Sequence, residues 1–397
     1  MEFQMRHTTL PCAMVLVSFP AYAQFSSGST GADGPLDFSN VSPNTTVIFD
    51  PSSYNPPLNP THDNIFNFTT INIPAGVTVK LSGTTFTEPV VWLASGAVTI
   101  GGIINLNGDN GSQDFPTVNR FPSTPGAGGY PGGTGGNSAT AGLGPGGGAA
   151  GTATTDAGGG AFTGNSFAIP LVGGSGGGGS SNGGGGAGGG AILIASSVSI
   201  EFLQNSGIHA DGGGSSCNEP RAGGGSGGSI RLVAPSIINH GGTGLSASPG
   251  SGCGTTASAG TPGAIRIESL NYPGGFGNAG SYTFGAPFNT FVKPMPPQPS
   301  ISVLTVDNQP VKRPPTGQFT TPDVTISNAS AVTVVLQGMN IPVGTTAQLQ
   351  FFSDSGPDIF LTSTPFQGTT QSSMATASVQ LPSGYTRANV IATVPPQ

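Results

Sequence analysis

A pattern of alternating apolar and polar or small residues recurs along the chain. Its copies begin at Val90, Ala191, Ser229 and Ala264, and the last copy is incomplete. Each copy starts with an alternating strand, continues with a second short strand, and ends with a third strand of small or polar residues. Single strands of this kind cannot bury their apolar side, whereas stacked copies bury it between them. The repeat therefore predicts a short right-handed parallel β-helix with one copy per turn.

Aligning the copies predicts which side chains point inward, because strand side chains alternate with a period of two. The predicted inward residues of the first strand are Val91, Leu93, Ile192, Ile194, Ile230, Leu232, Ile265 and Ile267. Those of the third strand are Ile104, Leu106, Ile208, Ala210, Leu245 and Ala247. The predicted outward columns are more varied: Trp92, Leu193, Arg231 and Arg266 form one, and Asn105, His209 and Ser246 form another. Uniform inward and variable outward positions are typical of a coiled sheet with a dry interior.

The segments before the first full copy also alternate. Residues 66–73 and 77–81 flank a Pro74-Ala75-Gly76 turn and predict a first, degenerate turn of the β-helix. Residues 24–65 are rich in Pro, Ser and Asn and are predicted to form an N-terminal cap. The β-helix is accordingly expected over residues 66–292.

A glycine-rich insertion, about residues 109–190, separates the first two copies. One interpretation is a flexible, disordered loop. The other is a set of packed polyglycine II strands that lie against the β-helix. The apolar run at 167–172 favours docking of part of the insertion, with Trp92 and Leu193 as the predicted docking surface.

The chain changes character after a proline-rich linker at 293–300. Glycine becomes rarer, and short alternating runs follow one another to the end of the sequence. This spacing predicts an immunoglobulin-like β-sandwich over residues 301–397. Leu381-Pro382 followed by Tyr385 resembles the tyrosine-corner region of fibronectin type III domains. The predicted fold class for the whole chain is all-β.

Composition narrows the possible functions. The chain has 68 glycines, only 7% charged residues and a formal net charge of −7. Its polar surface must therefore come from Ser, Thr, Asn and the backbone. The 10 basic residues are scattered, so the sequence has no electrostatic footprint for nucleic acid.

Residues 1–23 have the features of a secretory signal peptide. An apolar segment too short to span a bilayer is followed by Ala21-Tyr22-Ala23, which fits the small-x-small cleavage rule. We expect cleavage near Ala23, no membrane span in the mature chain, and a secreted or cell-surface location. Cys217 and Cys253 would then lie in an oxidising compartment, and we predict that they form a disulfide between neighbouring turns.

Two groups of residues are candidates for chemistry. Asn107, Asp109 and Asp114 supply oxygen atoms of the kind that calcium prefers, although such residues also form ordinary turns. His209 and Asp211 are predicted to share the outward face of one strand, where a carboxylate beside a histidine can run acid–base chemistry. A solvated polar face is the favoured interpretation, because a glycosidase needs two facing carboxylates and no acidic partner aligns with Asp211.

Over residues 66–272 the repeat architecture resembles the pectin-lyase-like β-helix superfamily. That resemblance implies clustered acids, often with calcium, and an Arg or Lys base; Arg231 and Arg266 align here without an Asp cluster. The pattern GGGxGGxIRLxAP is also similar to glycine-rich exported bacterial proteins. The sequence thus favours a non-catalytic secreted or cell-surface structural and adhesive protein whose partners are extracellular polysaccharide or cell-surface components. The alternatives are a carbohydrate-active β-helix enzyme, either a polysaccharide lyase or a hydrolase, and an ice- or surface-binding protein, which would need regular Thr columns.

Overall fold

The computed structural model describes residues 25–59, 63–112, 121–136, 139–215, 220–242, 244–252, 258–271, 276, 278–279, 281–287, 299–313, 315 and 322–392. Within these residues the chain is all-β, with a single 3-10 turn at Pro51–Ser53. None of the described helical segments is long and apolar enough to cross a membrane. The predicted signal peptide lies outside the described residues.

Two parallel sheets contain the repeats. The larger sheet consists of β1 (Gly34–Asp37), β3 (Ile65–Ile73), β5 (Val90–Ala94), β6 (Val98–Ile100), β8 (Ala191–Ser196), β9 (Ser199–Phe202), β11 (Ser229–Val233), β12 (Ser236–Asn239), β14 (Ala264–Glu268) and β16 (Ser281–Gly285). The smaller sheet consists of β2 (Thr45–Ile48), β4 (Val77–Lys80), β7 (Ile103–Asn105), β10 (Gly207–His209), β13 (Gly244–Ser246) and β15 (Asn278–Ala279).

The larger sheet is curled because β3 is long enough to pair with two later strands. Its first half pairs with β5 and its second half with β6, and these two strands then begin separate columns. The column from β5 continues through β8, β11, β14 and β16, and the column from β6 continues through β9 and β12. We call one circuit of the chain through these columns a pass, the first of which begins with β3. Each pass also adds one strand to the smaller sheet, in the order β4, β7, β10, β13 and β15. The strands β5, β8, β11 and β14 begin at the starts of the four sequence copies, so the repeat is confirmed as the stacking unit.

One apolar cluster fills the space between the columns. The predicted inward residues of β8, β11 and β14 are all buried in this cluster, as are those of the third strands. The prediction was wrong for β5, where the register pairs Trp92 with Ile194, so that Trp92 is fully buried in the core. Val91 and Leu93, predicted to point inward, lie instead on the outer side of the sheet. Strand β5 is apolar on both faces, so its alternation could not determine which face was inward.

The large Trp92 side chain is accommodated at an aromatic end of the core. Its ring meets the ring of Phe49 edge-on at 5.4 Å and that of Phe68 at 6.1 Å. Phe49, which follows β2 in the N-terminal segment, also contacts Phe66 and Phe86, with ring centroids 5.3 and 5.9 Å apart. Aromatic rings are therefore concentrated at this end of the core, whereas the later passes contribute mainly Ile, Leu and Ala together with Phe202.

A second apolar cluster covers the outer face of the larger sheet. Leu93 and Leu193 pack there with Ala168 and Leu171, all of them buried. Ala168 and Leu171 belong to the apolar run at 167–172, so this run docks as predicted, on Leu193 but not on Trp92. We call residues 162–172 the strap. Its end is fastened by the Ser229 hydroxyl, which bonds to both the amide and the carbonyl of Val172.

The described part of the glycine-rich insertion is a packed array of extended segments, not a loop without partners. In segment 173–180, the amides of Gly174, Gly177 and Ser180 donate to the carbonyls of Gly189, Gly186 and Gly183. The carbonyls of the same three residues accept from the amides of Tyr130, Gly133 and Gly136. The intervening residues bond to further segments, at 140–143, 148–151, 158 and 223–226. The partner thus changes with a period of three residues, which is the repeat of a polyproline II-type helix.

The C-terminal part of the chain contains two antiparallel sheets. One is formed by β17 (Ser300–Val306), β18 (Gln309–Pro310), β19 (Val332–Met339), β22 (Gln367–Thr369) and β23 (Ser372–Val379), and the other by β20 (Gln348–Ser353), β21 (Ile359–Thr362) and β24 (Thr386–Ile391). Both sheets contribute to one apolar core, which includes Leu336, Leu349 and Phe366. Near β24, Arg387 donates to the carbonyl of Pro122 at 3.2 Å and lies 3.4 Å from the Thr124 hydroxyl.

Candidate functional site: two outer faces of the parallel sheets

The smaller sheet carries a row of polar side chains on its outer side. The register of β7, β10 and β13 places Asn105, His209 and Ser246 side by side. Two residues further along, Asn107, Asp211 and Ser248 form a second row. We call these six residues the polar face. His209 and Asp211 thus lie on one face, and Asn107 and Ser248 flank Asp211.

Hydrogen bonds join the second row from pass to pass. The Asn107 Oδ1 atom accepts from the Asp211 amide at 2.8 Å. The Asp211 Oδ1 atom accepts from the Ser248 amide at 2.7 Å and also from the Ser246 hydroxyl. One carboxylate oxygen of Asp211 is therefore held by two donors of the following pass. This arrangement is a polar ladder along the stack, in which Asp211 serves to fix neighbouring strands.

The predicted calcium ligands take part in bonds within the protein. The Asn107 side-chain oxygen is occupied by the Asp211 amide, and the Asp109 Oδ1 atom pairs with the Lys80 Nζ atom at 3.2 Å. Asp114 lies outside the described residues. Among the residues that the structure describes, no three His, Cys, Asp or Glu side chains are grouped so that they could hold a metal ion.

The predicted disulfide partners, Cys217 and Cys253, also lie outside the described residues. The segments that precede the two cysteines are described, as far as Ser215 and Gly252. The Ser215 amide donates to the Ser251 carbonyl at 3.0 Å, so the residues two positions before each cysteine lie on hydrogen-bonded neighbouring segments. The disulfide stays a prediction.

A cluster of charged residues lies on the outer face of the larger sheet. The register of β11 and β14 aligns Arg231 with Arg266, as the sequence predicted. Between them the Glu268 Oε1 atom accepts from Arg231 Nε at 3.0 Å and from Arg266 Nε at 3.4 Å. Glu268 was not predicted as a site residue, although its position two residues after Arg266 puts it on the same face of the strand. We call these three residues the Arg–Glu–Arg cluster.

The strap and β16, the edge strand of the larger sheet, enclose this cluster. The Arg266 guanidinium lies 5.5 Å from the centre of the Phe167 ring and donates to the Phe284 carbonyl at 2.9 Å. A Cβ atom on Gly285 would lie only 2.2 Å from the Arg266 Nη2 atom, so glycine leaves the space that the guanidinium needs. Glu268 is 1% exposed, and its Oε2 atom is buried without a partner. Arg266 therefore links β14 to the strap through Phe167 and to β16 through the Phe284 carbonyl.

One further carboxyl group has unusual protonation. Burial, with a smaller contribution from the negative charge of Asp63, raises the pKa of Glu88 to about 7. Burial also raises the pKa of Tyr130, and the charge of Glu88 adds to this effect. Glu88 lies two residues before β5, and the sequence around it did not indicate a buried carboxyl group. We therefore expect the stability of the fold to decline as pH rises from about 4.5 to 7.

No protein-family model matches this chain, and no match was found among curated proteins or among solved structures. The function therefore has to be inferred from the geometry of the chain itself.

Proposed function

We propose that this chain is an extracellular structural and adhesive protein without catalytic activity. In this proposal the parallel sheets form a right-handed β-helix that serves as a rigid stalk, the glycine array thickens one side of it, and the C-terminal sheets form an immunoglobulin-like β-sandwich. The β-helix is supported by three columns of strands, namely the columns that begin with β5 and β6 and the smaller sheet. Each full pass extends every column by one strand. Two antiparallel sheets around a shared core support the sandwich.

The observation that carries the adhesive role is the polar face. It presents amide, hydroxyl and imidazole groups at the strand spacing of about 4.8 Å, on a backbone held by a continuous hydrogen-bond ladder. The regular row of hydrogen-bond donors and acceptors formed by Asn105, His209 and Ser246 suits a repeating, hydroxyl-rich polymer such as an extracellular polysaccharide. Because the row is already ordered, little side-chain freedom is lost when such a polymer binds.

The charged groups of the described residues favour adhesion over catalysis. Asp211 is held by Ser246 and Ser248, and the members of the Arg–Glu–Arg cluster bind one another beneath the strap. Catalytic carboxyl groups of a glycosidase would instead face a shared substrate cleft. An ice-binding face is less consistent with the structure, because the outer column beside the polar face is mixed and contains Thr46, Thr78, Ile103, Gly207 and Gly244.

The test is binding of the mature protein to a panel of soluble neutral and acidic polysaccharides by affinity gel electrophoresis. We expect at least one polysaccharide to retard the protein, and we expect His209→Ala, which removes the central side chain of the polar face, to weaken the retardation. Thr154→Ala, in an exposed turn of the glycine array, is the matched control and should behave like the wild type.

The same mixtures should be assayed for new reducing ends and for unsaturated sugar products. Depolymerisation that His209→Ala abolishes would overturn the non-catalytic proposal in favour of the carbohydrate-active enzyme. Absence of retardation by every polysaccharide would count against an adhesive role for this face.

A further inference from the structure

A recess opens beside the polar face because successive turns differ in length. The turn between β3 and β4 has three residues, Pro74, Ala75 and Gly76, whereas the turn between β6 and β7 has only Gly101 and Gly102. The corresponding turn of the next pass, between β9 and β10, is longer again and spans residues 203–206. The short glycine turn is thus set back between two longer ones, which leaves a recess of about 300 Å³.

The floor of the recess consists of backbone that tolerates no side chain. A Cβ atom on Gly102 would lie 2.0 Å from the Val77 carbonyl oxygen and 2.7 Å from that of Pro74. One on Gly101 would lie 3.0 Å from the Ala75 amide nitrogen. The Gly102 carbonyl also accepts from the Gly207 amide at 3.1 Å, so the floor is tied to the next pass. The recess is therefore a built feature of the fold whose depth depends on two glycines.

The walls combine neutral polar groups with aliphatic surface. Gln204 and Asn205 are exposed on one wall, and Thr78 lies on the other. Asn205 has a φ of 63°, a left-handed conformation that Asn tolerates better than most residues, and its amide bonds to the Gly241 carbonyl at 3.2 Å. Ala75 and Ile103 supply the aliphatic part. None of the lining residues is charged.

The recess is continuous with the polar face. Thr78, Ile103 and Gly207 form the outward column two residues before Lys80, Asn105 and His209, on the same strands. A polymer that lies across the polar face therefore passes the recess. We propose that the recess is a subsite for one neutral, hydroxyl-bearing sugar residue, with the carboxamides of Gln204 and Asn205 bonding its hydroxyl groups and Ala75 and Ile103 contacting its carbon-bound hydrogens. This inference rests on the proposed adhesive function and adds the substrate class, a neutral rather than a uronate polysaccharide.

The reason for a neutral ligand is electrostatic. A carboxylate that enters the recess loses water and meets no cationic lining group, and such desolvation is costly without a partner. Side-chain amides, by contrast, both donate and accept, which matches the dual character of a sugar hydroxyl.

The experiment measures dissociation constants by isothermal titration calorimetry for neutral glucan, mannan and galactan oligosaccharides and for pectate and alginate fragments. Gln204→Ala combined with Asn205→Gly removes both carboxamides, and glycine retains the left-handed turn. We expect this double variant to bind neutral oligosaccharides about tenfold or more weakly, as loss of two hydrogen bonds predicts. Thr154→Ala is the binding control, and an unchanged melting temperature shows that the double variant is folded.

The outcomes separate the two proposals. If His209→Ala weakens binding and the double variant does not, the recess is not a subsite and the adhesive role of the polar face stands. If uronate fragments bind more tightly than neutral ones, the assignment of a neutral sugar is overturned. If no oligosaccharide or polysaccharide binds the wild type, both the recess subsite and the adhesive function fail.

Discussion

Gly177→Ala tests whether the glycine-rich insertion is as closely packed as the structure shows. Gly177 is buried at the centre of the array, where its amide donates to the Gly186 carbonyl at 2.9 Å and its carbonyl accepts from the Gly133 amide at 2.8 Å. A Cβ atom at this position would lie 2.1 Å from the Gly223 carbonyl oxygen and 2.3 Å from its carbon. These are backbone atoms, so no side chain can rotate away to make room.

The magnitude follows from the displacement that alanine would require. The segments carrying Gly177 and Gly223 would have to separate by more than an ångström, since ordinary contacts begin at 3.4 Å. Overpacking of this kind costs about 1–3 kcal/mol. The separation would also strain the bond from the Gly223 amide to the Gly178 carbonyl, now 2.8 Å, and that from the Gly186 amide to the Gly223 carbonyl, now 2.9 Å. With about 0.5–1.5 kcal/mol for each weakened bond, we expect a loss of about 2–6 kcal/mol.

Gly184→Ala is the matched control in the same array. Its Cβ atom would lie 3.1 Å from the Ser112 hydroxyl oxygen and 3.3 Å from the Ser112 amide nitrogen, so a small shift relieves the contact. The assay is urea unfolding followed by circular dichroism and by tryptophan fluorescence, which reports on the single Trp92 in the core. If Gly177→Ala destabilises the protein no more than Gly184→Ala does, the array is not tightly packed, and the result would favour a flexible, disordered loop.

Three further predictions concern other parts of the chain. The pKa of Glu88 is about 7 in the fold against 4.5 normally, so the fold favours its neutral form. Its contribution to the free energy of unfolding is complete below pH 4.5 and is lost as pH rises through 7, by up to about 3 kcal/mol. Urea unfolding from pH 5 to 8 should therefore show a decline in the free energy of unfolding that Glu88→Gln removes, and a decline of equal size in the variant would assign it to other groups. Cys217 and Cys253 should be recovered as one cross-linked peptide by mass spectrometry of the unreduced, alkylated protein, and finding both as alkylated thiols would exclude the bridge. Residues 301–397 expressed alone should melt cooperatively with a β-type circular dichroism spectrum, although Arg387 would lose its contacts with residues 122–124; a disordered fragment would show that the module depends on those contacts.

Alternation alone determined the strands wherever one face was apolar and the other was not. Ile208, between small and polar neighbours, could point only inward, and its partners Ile104 and Leu245 followed from the repeat. Arg231 and Arg266 were aligned in the same way, because a charged residue between two isoleucines or leucines marks the outer face of a strand. The outer position of His209 and Asp211 and their neighbours were likewise predictable, since register is set by which side chains must be buried.

Tertiary packing decided the rest. Both faces of β5 are apolar and packed, one against the core and one against the strap, so its alternation did not determine the placement of Trp92. The indole lies on the core side, in contact with the rings of Phe49 and Phe68. The order of the glycine array was equally hidden, because glycine has no side chain whose pattern could reveal its neighbours, and the array is held by backbone bonds between segments distant in sequence. The recess between turns arises from differences in length among neighbouring passes. Sequence therefore determined the repeating unit and the buried face of every copy except the first, whereas the contacts between units, which depend on space and on backbone geometry, were decided only when the units were stacked.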